Sequence, residues 1–228
     1  MAVLLNTIKS GLLLFSLLVV SLLQQSLANN CSGVFTSGVT SHSASGQLNF
    51  VDYARVIDSG TVLDIGIGNG TWSRDCNTGA CVSSGNIGDE ISLPSFNRSS
   101  SSSSVSFRSN WGAQSGVQGD YDQVTIGMNT QVTINANGGL TRINNLTVGM
   151  NARLILAEGD YWISSLDMAA NTQLYPLNNG KIRLFVENYS ESGNNVKLNE
   201  YRSPENFIMV SYSDLEFNKN TNSSGFFM

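Results

Sequence analysis

The sequence predicts an all-β fold: a short, right-handed parallel β-helix (a solenoid) with an irregular N-terminal cap, preceded by a signal-peptide helix. Three observations carry this. First, three segments nearly superimpose, Val124–Ile134, Leu146–Leu156 and Leu166–Pro176, with corresponding residues 22 and then 20 positions apart. A repeat of that period, built of short segments, is the mark of stacked coils. Second, apolar residues within each unit recur at every second position, which puts them on one face of a strand. Third, nothing after residue 28 keeps a 3.6-residue apolar period, while Ser, Asn, Gly and Thr abound. Asn and Gly supply the left-handed backbone positions of tight turns.

The chain opens on a targeting segment, residues 1–28. Lys9 gives a positive start, Gly11–Leu23 an apolar run, and Ser26-Leu27-Ala28 a small-x-small cleavage site, so the mature chain is expected to begin at Asn29. The run is short for a membrane span, which needs about 20 residues. Membrane contact is therefore expected only through the signal peptide during export, with the periplasm, outer surface or extracellular space as destination.

Residues 29–94 read as a Gly/Ser-rich β leader or cap. Gln47–Val51, Thr61–Ile65 and Ile91–Leu93 are strand candidates separated by turn residues. The chain's three cysteines are Cys31, Cys76 and Cys81. Export permits disulfides. Cys76 and Cys81 close a short loop around Gly79 and are the first choice for a bridge; Cys31 could pair with either, or outside the chain. A metal site would have only these thiols and His42 to draw on, so no metal or cofactor is expected.

Residues 95–119 hold the serine run Ser99–Ser104 and read as a loop protruding from the stack, or as a linker. Residues 120–228 are the coils. Their core candidates are Val124, Ile126, Val132, Ile134, Leu146, Val148, Leu154, Leu156, Leu166, Met168 and Leu174. Further strands at Leu140–Ile143, Asp160–Ile163 and Ile182–Val186 give about three per coil. Ile155 should point outward and matter less than Leu154 or Leu156. Asn129, Asn151 and Asn171 recur in register and should form an amide ladder at a turn. Gly225–Met228 begins another apolar segment with no polar cap, which points to a chain cut short at its C-terminus.

Without its signal the chain has 11 basic and 17 acidic residues, since only Lys9 is removed. No basic run exists, which argues against nucleic acid and anionic membranes as partners. Thr61–Gly70 resembles a methyltransferase glycine motif, but no helical pattern follows it, and such a motif counts only in that context. Asp120 with Asp122, Glu158 with Asp160, and Asp167 could serve acid/base chemistry or calcium. Their turn-like settings favour solvated turn residues. Basic residues in the coils (Arg142, Arg153, Lys181, Arg183, Lys197) share no repeat position, so no catalytic groove is expected. Of the adjacent Tyr161 and Trp162, one should be packed and the other exposed as a sugar-stacking surface.

Three segments resemble the N-terminal region of the MSHA (mannose-sensitive haemagglutinin) pilus biogenesis protein MshQ family. They are Cys31–Phe35 after the signal, the Cys76–Cys81 loop followed by Ser83-Ser84-Gly85, and Leu154–Leu166 leading to Gly180–Val186. The resemblance covers most of residues 29–228; Gly159–Ile163 with Ile182–Val186 is its specific part. It implies an exported, non-enzymatic surface or pilus-associated protein of Gram-negative bacteria, contributing to pilus biogenesis or adhesion. Its partners would be pilus or cell-surface components, with no catalytic residues to carry over. The alternative from the residues is a β-helix that binds or acts on an extracellular glycan.

Overall fold

The computed structural model describes residues 47–50, 53–57, 62–63, 66–67, 82–83, 93–108, 113–136 and 139–228. The chain is a parallel β-solenoid. Its coils build two sheets of seven described strands each. The first sheet runs, in spatial order, Ser104–Phe107, Tyr121–Ile126, Leu140–Val148, Gly159–Met168, Ile182–Glu191, Phe207–Ser211 and Phe226–Phe227. The second runs Ala113–Gln118, Gln131–Asn135, Arg153–Leu156, Gln173–Pro176, Lys197–Leu198, Asn222–Ser224 and Arg55–Ile57. Helix is confined, among the described residues, to two single turns at Leu177–Asn179 and Pro204–Asn206.

Register makes the core. Val105, Val124, Leu146, Leu166 and Tyr189 stand above one another in the first sheet, as do Phe107, Ile126, Val148 and Met168 beside them. In the second sheet the column is Val132, Leu154, Leu174 and Leu198. All eleven repeat-core residues named above are exposed by 1% or less. No coil can bury its own apolar row; stacking buries it continuously.

The expected three strands per coil appear as two, because the first pair fuses across a corner. In Leu140–Val148 the inward residues are Thr141, Ile143, Leu146 and Val148, with Asn144 and Asn145 both turned out. Glu187 and Asn188 repeat this in Ile182–Glu191. Two successive outward residues shift the alternation by one and bend the strand; pairing skips the corner residues Asn144, Ser164 and Glu187 and resumes in the same register. Gly149 follows the strand where a Cβ would lie 2.8 Å from the Ile126 carbonyl oxygen, too close for any side chain.

The leader does not sit where its sequence position suggests. Arg55–Ile57 pairs with Asn222–Ser224, and Gln47–Phe50 with Leu215–Phe217, so it covers the coil at the C-terminal end of the stack. Residues 94–103 must then return to the opposite end. They cross the outer face of the first sheet as an extended strap, not as a protruding loop or free linker. Pro94 accepts a hydrogen bond from Tyr212 (2.8 Å) in the late coils, and Ser103 accepts one from Asp122 N–H (2.8 Å) in the early ones. Crossing five strand spacings takes about 24 Å, within reach of ten extended residues. Serine suits this path: it is small, and its hydroxyl caps its own strap, Ser99 Oγ accepting from Ser101 N–H and Ser101 Oγ from Ser103 N–H (both 3.1 Å).

The strap changes two expectations. Tyr161 is fully buried, and Trp162, on the opposite face, is only 9% exposed. Phe96 from the strap meets its ring edge-on (5.3 Å), and Phe185 stacks on it (4.3 Å). Trp162 is thus a clamp for the strap and not a free sugar platform. Ile155 also departs from expectation. It lies outside the inner core cluster, yet it is just 6% exposed, with Thr133 and Tyr175 beside it in register on the outer face.

Candidate binding face

The polar residues of the coils fall into columns, because register aligns equivalent positions about 4.8 Å apart. The asparagine column stands at the turn between the sheets. Asn129, Asn151 and Asn171 have φ of 56°, 57° and 59°, a region Asn tolerates better than other non-glycine residues. Asn151 Nδ2 donates to Asn129 Oδ1 and Asn171 Nδ2 to Asn151 Oδ1 (both 3.0 Å). The ladder runs one step further than the sequence showed: Asn195 (φ 61°) donates to Asn171 Oδ1 at 2.9 Å. The less regular spacing of that coil hid it.

The acidic pairs are engaged between coils. Asp120 accepts from both the backbone N–H and the guanidinium of Arg142 (2.9 Å each). Asp122 accepts from Asn144 Nδ2 at 3.0 Å. Asp160 holds Arg183 bidentately (2.7 and 2.6 Å). Asp167 accepts from the hydroxyls of Ser190 and Ser192 (3.1 Å each). These partners lie one coil on, so the acids act as coil-to-coil ties and not simply as solvated turn residues. Glu158 is exposed. Among the described residues no group of His, Cys, Asp and Glu side chains could hold a metal ion.

One further acid went unnoticed in the sequence. Glu191 occupies the inward column that elsewhere holds Ile126, Val148 and Met168. It accepts from Tyr189 Oη (2.6 Å), Asn218 N–H (2.8 Å) and Thr221 Oγ1 (2.6 Å). Burial outweighs these donors and pushes its carboxyl up from 4.5 to about 7. The signal was available: Glu191 lies 23 residues after Met168.

The outer face of the second sheet corrects the reading of the basic residues. Gln131, Arg153, Gln173, Lys197, Asn222 and Arg55 share one register position on successive strands. Amide and cation alternate along this column, so Arg153 and Lys197 do share a repeat position. Beside it an open groove is lined by Arg153, Gln173, Tyr175, Lys197, Glu200 and Arg202. The Arg202 guanidinium lies 4.2 Å over the Tyr175 ring. Glu200, the one acid lining the groove, is held by Lys197 (2.6 Å) and Asn222 (2.7 Å). Among the described residues neither Arg153 nor Arg202 has a carboxylate ion-pair partner. Tyr201, between Glu200 and Arg202 in the chain, is 81% exposed and held at φ 56°, a strained conformation for an aromatic residue.

The glycine motif's described parts, Val62–Leu63 and Gly66–Ile67, are two short parallel strands paired with different partners. Cys31, Cys76, Cys81, His42 and the signal segment lie outside the described residues. No family model, curated protein or solved structure matches the chain.

Proposed function

We propose that this chain is an exported, non-enzymatic surface or pilus-associated protein that contributes to MSHA-type pilus biogenesis or adhesion. Its solenoid serves as a stiff support that presents a polar face to a partner. The observation that carries this reading is the way Asp120, Asp122, Asp160 and Asp167 are tied to the next coil. Acid/base catalysis needs carboxylates poised on a substrate; these are spent on joining coils. The resemblance of Gly159–Ile163 and Ile182–Val186 to the MshQ family supplies the pilus context. The test is deletion of the gene, with pili counted by electron microscopy and surface adherence measured. Fewer pili or weaker adherence, restored by the intact gene, is the expected result. Normal pili and adherence with lost cleavage of an extracellular glycan would replace it.

A second reading, a carbohydrate-binding or carbohydrate-active β-helix, is favoured by one observation: the cationic groove between Arg153 and Arg202 crosses successive coils. Its single acid, Glu200, is already paired with Lys197, which favours binding over cleavage.

A further inference from the structure

We infer that the outer face of the second sheet is a binding site for an anionic polysaccharide, read along the column Arg153, Lys197 and Arg55. This rests on the reading that the solenoid presents a binding face. The column places a cation on every second strand, with Gln173 between the first two and Asn222 between the last two; the middle one, Lys197, shares its charge with Glu200 (2.6 Å), so Arg153 and Arg55 carry the column's net positive charge. Strand spacing puts neighbouring cations about 10 Å apart. The spacing is imposed by backbone register and does not depend on flexible side chains. A ligand matched to it must itself repeat its charge, as a linear acidic polysaccharide does and a small metabolite does not.

The remaining groove residues suit the same ligand. Gln173 offers its amide to a hydroxyl group lying between the charges, while the Asn222 amide donates to Glu200 (2.7 Å). Arg202 covers the Tyr175 ring, and the exposed Tyr201, next to Arg202 in the chain, offers flat apolar surface to a sugar face. The groove is open at the surface, so a long chain can lie across it without threading. The chain as a whole carries a formal charge of −5, while the groove holds Arg153, Lys197 and Arg202 against Glu200 alone. A cationic face on an acidic protein selects anions locally and still repels them elsewhere.

The exported chain can be tested by affinity electrophoresis in gels containing polygalacturonate, dextran sulfate or uncharged dextran. Retardation by either anionic polymer, relieved by salt and absent with dextran, is expected; the more effective polymer identifies carboxylate or sulfate as the group read. Arg153→Gln and Arg202→Gln should each weaken retention roughly tenfold, the worth of one charge-assisted hydrogen bond. Lys181→Gln, a charge lost outside the groove, should leave it unchanged. Thermal unfolding of each variant separates lost binding from lost fold. Equal retention by dextran, or equal loss in all three variants while they remain folded, would overturn the inference. Pilus number and adherence are read separately, so this site and the surface role can fail independently.

Discussion

Glu191 makes the stability of the solenoid depend on pH. Its column is apolar in the three coils before it, and one carboxyl there is left mostly out of water. A folded-state value near 7 against an ordinary 4.5 is worth up to about 3 kcal/mol. The side chain keeps some solvent contact, so about 1–3 kcal/mol is the working range. The sign follows from the folded value being the higher one: the protonated group favours folding. That contribution is complete below about pH 4.5 and is lost as pH climbs through 7. Glu191→Gln keeps an acceptor for Asn218 and Thr221 and cannot ionise. It should remove this slope, leaving the variant more stable than the parent at pH 8 and similar to it at pH 4. Urea unfolding followed by circular dichroism from pH 4 to 8 measures the difference between the two curves, which cancels titration elsewhere. Parallel curves across that range would refute the reasoning.

Four other changes probe the stack. Leu154→Ala empties part of the inner column between Val132 and Leu174 and should cost about 2–5 kcal/mol, whereas Ile155→Ala, on the outer face where no closed cavity is left, should cost about 2 kcal/mol; chemical unfolding ranks them. Asn151→Ala breaks two amide bonds and forces a left-handed alanine, for a loss of about 2–3 kcal/mol, and an unfolding midpoint equal to the parent's would count against the ladder. Phe96→Ala unclamps the strap from Trp162 and Tyr212, so limited proteolysis should cut within residues 94–103 much faster while the coils resist; an unchanged cleavage rate would show that the strap is held some other way.

Much of this architecture is written in local pattern. The 22-residue offset and the alternation of Val124, Ile126, Val132 and Ile134 are one-dimensional facts that become a column once coils stack. The asparagine ladder was legible for the same reason, since equal spacing and equal turn conformation place equal side chains above one another. Gln131, Arg153 and Gln173 also align by repeat alone, so half of the amide–cation column was already visible. What remained hidden depended on chain segments far apart in sequence. That Arg55 extends the column follows from Arg55–Ile57 pairing with Asn222–Ser224, a contact no periodicity encodes. The serine run became a strap only because the leader lies at one end of the stack and the first coil at the other. Trp162 was alternation-perfect as an outward residue, and it is covered only because that strap passes over it. Repeats determine what lies above what within the coils; which distant segment covers an exposed face or edge is settled only when the whole chain packs.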